Sequence, residues 1–327
     1  MTLAKIAKMA NVAVSTVSKA FSDSPEISKE TKEQILKIAK ETGCYEKYYK
    51  PKYNKKLIAV ICPEVQGVHY AQMATYLEEK ITSRDGTMLL SVSNFSPEKQ
   101  AELIDYYIKY AHADGVIVVE PVAKIKNTTE VPIIQIGLEK ATGDVHAIYA
   151  DMGDALNQSI NMLVKKGHHN IGFIGEQYTT KEYDLFCSTI AKCGMSVNPQ
   201  YIAINQHRFQ DCGYYGIDEM IKNNSLPSAV YAAYSHIAVG ILQRLSEEGL
   251  RVPEDISVIC LDDINTVPYG NMKLSCIKMH LEDLCYEAAH LLYRLIAKKH
   301  SVSKHTITVD RQFYEGETIG KGSSPTI

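Results

Sequence analysis

The chain has 327 residues, of which 45% are hydrophobic and 22% are charged, a composition that excludes a disordered protein. Its length allows two or three domains with sizeable cores. The formal net charge is −3, but residues 1–56 contain 12 Lys and six acidic residues and therefore carry +6. A basic N-terminal module on an acidic remainder indicates a module that binds phosphate groups of a nucleic acid.

The sequence argues against a disulfide framework and against a membrane protein. The eight Cys form no CxxC pair and lie among apolar runs, as buried reduced thiols do. No apolar stretch approaches the roughly 20 residues of a membrane helix, and the N-terminus lacks the apolar segment of a signal peptide. We therefore expect a cytoplasmic protein with no membrane partner.

Residues 2–22 predict two short helices joined by a sharp turn. The first has apolar residues at helical spacing, namely Leu3, Ile6, Ala7 and Ala10. Asn11 tolerates the left-handed conformation that such a turn needs. The second helix is expected from about Ala13 to Phe21, with an outward side formed by Val14, Ser15, Ser18 and Lys19. This pattern predicts a helix-turn-helix whose second helix enters the major groove of DNA.

A third helix is expected from Ser28, a good N-cap, to Gly43, a good C-terminal stop. Residues 44–56 then form a linker rich in Lys and Tyr. Pro51 lies in its middle and would block a helix that continues through it. The linker is either a segment that contacts DNA or a flexible tether.

From Leu57 onwards, short apolar runs alternate with helical patterns. The predicted strands are 57–62, 88–92, 115–119, 133–137, 171–175, 201–204, 229–233 and 256–261. The predicted helices between them cover about 70–83, 98–111, 153–166, 181–193, 213–223 and 236–248. Repeated strand–helix units with continuous apolar strands indicate parallel sheets covered by helices on both faces, here as two similar lobes.

Two groups of residues resemble the lactose-repressor/galactose-repressor (LacI/GalR) family. In the N-terminal region they are T-L-x-x-I-A-x-x-A-x-V-x-x-S-T-V-S-K at 2–19, followed by Ile27, Ser28 and Thr31. In the remainder they are the segments 113–117, 131–133, 167–175 and 249–258 and the pair Asp262-Asp263, all in family order. The resemblance covers about residues 1–320.

The resemblance implies an all-α helix-turn-helix headpiece followed by an α/β core of two Rossmann-like lobes, similar to type I periplasmic binding proteins. We expect the headpiece at 1–43, the linker at 44–56 and the core at 57–327. The N-lobe is expected at about 57–147 and 276–305, and the C-lobe at about 148–275 and 306–320. The final helix, 281–299, is expected to return to the N-lobe, with 306–313 crossing back. The linker departs from the family pattern, because it lacks the usual hinge-helix residues and is about three residues short.

The resemblance also implies which residues contact DNA. Those that contact the DNA backbone or seat the helices are Thr2, Leu3, Thr16, Ser18, Ser28 and Thr31, and Lys47 of the linker is expected to contact phosphate. Val14, Ser15 and Lys19 occupy the base-reading positions. Lys19 can donate to guanine O6 and N7, although family members mostly carry an Arg there. Ala13 stands where the family has a capping Ser.

By the same resemblance, a ligand lies between the lobes, outside the carboxyl ends of the strands. Asp151 and Asp262 match acidic positions that hold sugar hydroxyls in family members. Three further positions depart from the family: Glu182 replaces an Arg, Tyr234-Ser235 replaces an Asn-Asp pair, and Met279 replaces a Gln. His69 and Tyr70, in the first strand-to-helix loop, are additional candidates. Such a pocket is expected to favour a cationic, aromatic or nucleoside-like ligand, or none, over the usual sugar.

The family resemblance implies a transcriptional repressor that binds double-stranded DNA at a pseudo-palindromic operator as a homodimer, modulated by a small-molecule effector. Three alternatives stay open: a core regulated by a protein partner, strand-end residues that only cap helices, and an enzyme or solute-binding protein.

No GxSxG, Walker A or GxGxxG pattern is present, and the neighbouring carboxylates Asp262 and Asp263 point to opposite faces of a strand. His168-His169 fits a structural turn. We therefore expect no catalytic site, no cofactor and no metal site.

Overall fold

The computed structural model describes residues 2–49, 55–126, 131–138, 145–261, 272–298 and 304–322. The chain forms two compact units, an N-terminal unit of residues 1–56 and a core of residues 57–327. Within the described residues, no helix is both long enough and apolar enough to cross a bilayer.

The N-terminal unit is helical, with elements α1 (Leu3–Ala10), α2 (Val14–Phe21), α3 (Lys29–Glu41) and α4 (Tyr45–Tyr48). Asn11 ends α1 with φ of 54°, and this left-handed residue provides the predicted sharp turn into α2. Fully buried side chains from the first three helices, Ile6, Val17 and Ile35, form its small core. The predicted helix-turn-helix and third helix are confirmed.

The helical part of this unit extends beyond Gly43, the predicted end of the third helix. Cys44 is only 5% exposed and belongs to the same core, and α4 follows it directly. Tyr48 packs against Phe21, with ring centroids 5.9 Å apart. Apolar packing by Cys44 and the tyrosines therefore adds one more turn. Pro51, on which the question of a linker helix depends, lies outside the described residues.

The core contains two six-stranded sheets. The first consists of β1 (Lys56–Cys62), β2 (Gly86–Val92), β3 (Gly115–Val119), β4 (Ile133–Gly137), β5 (His146–Asp151) and β11 (Thr306–Asp310), in the order β2-β1-β3-β4-β5-β11. The second consists of β6 (Ile171–Glu176), β7 (Ile202–Asn205), β8 (Ala229–Ala232), β9 (Ser257–Cys260), β10 (Ser275–Lys278) and β12 (Gln312–Tyr314), in the order β7-β6-β8-β9-β10-β12. We call the lobes built on these sheets the N-lobe and the C-lobe.

Helices cover the sheets as predicted. Those that follow N-lobe strands, and the last helix, are α5 (Val68–Thr82), α6 (Pro97–Lys109) and α11 (Leu281–Lys298). Those that follow C-lobe strands or precede β6 are α7 (Gly153–Lys165), α8 (Thr180–Lys192), α9 (Phe209–Lys222) and α10 (Ser235–Glu247). Central strands such as β3 are buried along their whole length, because helices lie on both faces. Among the strand pairs whose register the structure describes, β12 alone runs antiparallel to its neighbour, β10. The predicted two-lobed α/β core is confirmed.

The chain passes between the lobes later than the family resemblance suggested. β11 pairs in parallel with β5 over five residues and so belongs to the N-lobe sheet, and the crossing to β12 occurs at Arg311 and not at 306. β5 runs to Asp151, so the first crossing comes after 151 and not after 147. β10 lies in the C-lobe sheet, although the second N-lobe segment was expected to start at 276. Pairing with β11 satisfies the outer backbone groups of β5, which would otherwise form a sheet edge.

Candidate functional site

The outward side of α2 in the N-terminal unit carries the residues expected to read DNA. Val14 is 47% exposed, and Ser15, Ser18 and Lys19 are also exposed. On the opposite side Val17, Ala20 and Phe21 are buried, which fixes the rotation of the helix about its axis. An apolar side chain left in solvent beside two hydroxyls and a lysine is a surface suited to base edges and methyl groups.

Lys19 forms an ion pair with Glu26, which lies in the loop between α2 and α3. Both side chains are well exposed, Lys19 by 47% and Glu26 by 64%. The hydrogen bond from Lys19 and its positive charge lower the pKa of Glu26. Lys19 must therefore leave this carboxylate before it donates to a base.

The other residues expected to contact DNA have varied surroundings. Ser28 caps α3, because its hydroxyl accepts the Thr31 N–H at 3.2 Å, and the two hydroxyls lie 2.8 Å apart. Thr16 is half-buried, whereas Thr2 is exposed at the start of α1 and Leu3 packs partly against the core. The Lys47 Nζ lies 5.2 Å from the centroid of the Tyr48 ring.

Ala13 precedes α2 in an extended conformation and offers no side-chain oxygen to the free N–H groups of the first turn. A Ser at this position would accept one of those hydrogens, as Ser28 does for α3. The helix expected to read DNA thus begins without a side-chain cap.

A cavity of about 330 Å³ lies between the two lobes of the core, beside the carboxyl ends of their strands. The predicted residues that line it are His69, Tyr70, Glu182, Tyr234 and Met279. Asp151 is not among the lining residues. Its side chain is exposed, and Oδ1 accepts the Gly153 N–H at 2.8 Å at the start of α7, which is the helix-capping alternative. Asp262 lies outside the described residues.

Arg208 joins the lobes across one side of this cavity. From the loop before α9 in the C-lobe, it donates to both oxygens of Glu64 in the N-lobe, with Nη1–Oε2 at 2.7 Å and Nη2–Oε1 at 2.9 Å. It also donates through Nε to Glu176 Oε2 at 2.8 Å, from the end of β6. Both carboxylates are buried, Glu64 to 8% and Glu176 to 1% exposure. A guanidinium fork that holds two buried carboxylates is a strong, geometrically specific ion pair.

Tyr234 extends this network. Its hydroxyl donates to Glu176 Oε1 at 2.9 Å and accepts the Phe209 N–H at 3.0 Å. Burial, followed by the charge of Glu176, raises the pKa of Tyr234, so the hydroxyl keeps its proton as a donor. Tyr234, which departs from the family pattern, therefore positions the Glu176 carboxylate and the loop that carries Arg208.

Aromatic rings form a second connection between the lobes. Phe95 of the N-lobe stacks on Tyr178 of the C-lobe, with ring centroids 3.9 Å apart and an interplanar angle of 11°. The Arg208 guanidinium lies 5.1 Å from the Tyr178 centroid, 5.6 Å from Phe95 and 4.6 Å from Phe209. These distances permit cation–π attraction to all three rings. We call Glu64, Glu176 and these three rings the Arg208 cage.

Two further carboxylates, Glu120 of the N-lobe and Glu182 of the C-lobe, face the same cavity. Glu120 Oε2 accepts only a long bond of 3.4 Å from the Leu138 N–H among the hydrogen bonds of the described residues. Burial raises the pKa of Glu120, and burial together with the charge of Glu120 raises the pKa of Glu182 to about 7. Both carboxyls thus hold protons more tightly than usual.

Three lining residues have backbones in the left-handed region. Phe95, Glu120 and Phe209 have φ of 57°, 42° and 55°. Non-glycine residues in this region are uncommon and cluster at functional sites, where the surrounding structure maintains them. The cavity is therefore shaped by backbone conformation as well as by side chains.

Sequence reasoning missed Glu64, Glu120, Glu176 and Arg208. The three carboxylates shared a signal, because each lies at the end of an apolar strand or within two residues after it, and strand ends converge on the cleft. Arg208 carried no such signal, since it lies three residues beyond β7 in an irregular loop.

His168 has a structural role. Its ring is buried, with Nδ1 3.0 Å from the Ser228 hydroxyl and Nε2 3.2 Å from the Gly320 carbonyl oxygen. Across the described ranges, no three His, Cys, Asp or Glu side chains are grouped as metal ligands.

Comparison with known proteins identifies both parts of the chain. Residues 2–46 match the family "Bacterial regulatory proteins, lacI family", and residues 160–319 match "Periplasmic binding protein-like domain". Catabolite control protein A from Priestia megaterium is 22% identical over 91% of this chain and 93% of its own length. The HTH-type transcriptional repressor PurR from Pasteurella multocida is 25% identical over 91% of this chain and 92% of its own.

Among solved structures, the lac repressor dimer bound to operator and the anti-inducer ONPF has the same fold, with a TM-score of 0.73 and 18% identity. The superposition covers 97% of this chain and 98% of the other. The helix-turn-helix, the two-lobed core and the full-length similarity to regulators agree with one another. The chain therefore has a DNA-binding domain of the lacI family and a periplasmic-binding-protein-like domain, and its relatives over the full length are DNA-binding transcriptional regulators.

Proposed function

We propose that this protein is a sequence-specific repressor that binds a pseudo-palindromic operator as a homodimer and responds to a small molecule in the interlobe cavity. The observation that carries the proposal is the outward side of α2, where Val14, Ser15, Ser18 and Lys19 are exposed on a helix seated by a buried face. This is the arrangement with which a recognition helix reads the major groove.

A homodimer is supported by apolar residues at corresponding edges of both lobes. β2 and β7 are the outer strands at one end of their sheets, next to β1 and β6. Large apolar or aromatic side chains are exposed on these strands, on the following helices or directly after them, namely Leu90, Tyr106, Tyr110, Ile204 and Tyr215. Apolar side chains exposed at the corresponding edge of both lobes suit contact with a second copy of the chain, and the solved lac repressor complex is likewise a dimer.

An effector role for the cavity is supported by its position. It contacts both lobes, so a ligand within it makes contacts that depend on how far the lobes are closed. A ligand shifts an equilibrium only through such a difference in contacts. Typical coupling between two sites of this kind is about 1–3 kcal/mol.

The test is selection of bound DNA from a random pool by the ligand-free protein, followed by titration at several salt concentrations. A two-fold-symmetric enriched site and a dimer by sedimentation are the expected results. Weak, steeply salt-dependent binding without an enriched sequence would reject the proposal, because it is what phosphate contacts alone produce.

A further inference from the structure

Four carboxylates line the interlobe cavity. Among the described lining residues these are Glu64, Glu120, Glu176 and Glu182, against the permanent cations Lys181, Arg208 and Arg311. His69 and His236 also line it. Arg208 neutralises Glu64 and Glu176, which leaves Glu120 and Glu182, one from each lobe, as the lining carboxyls that Arg208 does not hold.

The Arg208 cage shows what kind of group a wall of this composition holds. Two buried carboxylates and three aromatic rings surround one guanidinium supplied by the chain itself. Carboxylates combined with ring faces attract an organic cation through charge, hydrogen bonds and cation–π contact. Carboxylates and a ring occur together again at Tyr70, another lining residue, on which the charges of Glu120 and Glu182 act.

Glu120 and Glu182 both line the cavity, one from each lobe. The charges of both, together with that of Glu64, act on the Tyr70 hydroxyl and contribute to its raised pKa, after burial. Their own pKa values are raised by burial, and each still feels the positive charges of Arg311 and Lys181, with His69 acting on Glu120. Burial therefore outweighs the nearby positive charges in setting the pKa of both carboxyls.

We propose that the effector is an organic cation, a protonated amine on a ring or apolar body, whose ammonium group binds between Glu120 and Glu182. This inference rests on the proposed effector role of the cavity and specifies its ligand. A bound ammonium bridges the two lobes and replaces carboxylate repulsion with two charge-assisted hydrogen bonds. The ring packs on the aromatic wall beside Tyr70. A cavity of about 330 Å³ has room for such a compound.

The probes are benzylamine and cyclohexylamine, with benzyl alcohol and cyclohexanol as neutral counterparts of matched shape. Calorimetric titration of the full-length protein at pH 7 is expected to show binding of the amines at least about tenfold tighter than of the alcohols. Repeating it in buffers of different ionisation enthalpy is expected to show release of protons, since the ammonium favours the charged forms of both carboxyls.

Glu120→Gln and Glu182→Gln keep the shape of the side chain and remove the charge. Each is expected to weaken amine binding by about tenfold or more, whereas Glu219→Gln on the exposed side of α9 leaves it unchanged. Equal binding of amines and alcohols, absence of amine binding, or amine binding unaffected by both variants would overturn the inference. Circular dichroism checks that each variant is folded.

Binding of the ligand-free protein to its selected operator is measured separately. Specific DNA binding without amine binding rejects only the cationic effector. Absence of specific DNA binding rejects the proposed regulatory function, whatever the cavity binds.

Discussion

Arg208 and Glu64 form a two-pronged ion pair, with donor–acceptor distances of 2.7 and 2.9 Å, that connects the C-lobe to the N-lobe. The same guanidinium holds Glu176, which is 1% exposed, so one side chain neutralises buried charge from both lobes. Because each lobe contributes one side chain, the pair would break if the lobes moved apart. The closed arrangement of the cleft thus has its own stabilising contact, independent of a ligand.

Arg208→Ala is expected to open the lobes of the ligand-free protein and to lower its stability by about 3 kcal/mol, because two buried carboxylates lose their partner. Small-angle scattering measures the opening, and urea denaturation measures the stability. Arg244→Ala is the matched control, since Arg244 donates from Nε to Asp218 at 2.8 Å within the C-lobe alone. Opening by both variants would contradict a specific role for Arg208 between the lobes.

Lys19→Ala is expected to lose about 1–3 kcal/mol of discrimination at one base pair of each half-site, because one side chain contacts one base step. Competition titrations against operators mutated singly at every position measure this loss. An equal loss of affinity on all sequences would instead assign Lys19 to a phosphate contact.

Glu26→Gln is expected to raise operator affinity severalfold, since Lys19 then no longer leaves a carboxylate partner before it reaches the DNA. Glu41→Gln, which also removes one exposed negative charge from the same unit, is the control for general electrostatics. The same gain in both variants at each salt concentration would show that the ion pair itself does not compete with DNA.

Ala13→Ser is expected to stabilise α2 by about 0.5–2 kcal/mol, because its hydroxyl supplies the missing N-cap. Ser28→Ala is the reciprocal change and is expected to destabilise α3 by a similar amount. Hydrogen exchange of the first-turn amides of each helix measures both effects. Unchanged protection in α2 of Ala13→Ser would mean that the added hydroxyl does not cap this helix.

The titration of Glu182 gives the core a pH dependence of defined sign. Its pKa is raised from 4.5 in the unfolded chain to about 7 in the folded protein. The folded state therefore binds the extra proton, and its stabilising contribution is complete below about pH 4.5 and is lost as the pH rises to about 7. Glu120 contributes with the same sign.

Glu182→Gln removes this contribution, so its stability relative to the native protein is expected to increase from pH 5 to about pH 7 and to level off above it. Urea denaturation at intervals of pH measures the difference. A constant difference across this range would show that Glu182 does not titrate there.

The sequence predicted the helix-turn-helix and most strands because each has a strong local pattern. β5, β10, β11 and β12 were not predicted as strands, and all four lie next to places where the chain crosses between the lobes. In the candidate site, Glu182 and Tyr234 were found as departures from a family pattern. Arg208 was missed because its role depends on Glu64, which lies 144 positions away in the chain. Local periodicity carries no information about such a pair.

Arg311, where the chain leaves β11 for β12, limits the kinds of motion that the core permits. Its backbone N–H donates to the Asp151 carbonyl oxygen at 3.0 Å, and its Nη1 lies 3.7 Å from the Met152 sulfur, so it ties two of the crossings together. A connection one residue long has two soft torsion angles and no slack. We therefore expect the lobes to bend about this point more readily than to slide along each other. A ligand that changes the opening angle by a few degrees would then displace most strongly those parts of the lobes that lie farthest from Arg311.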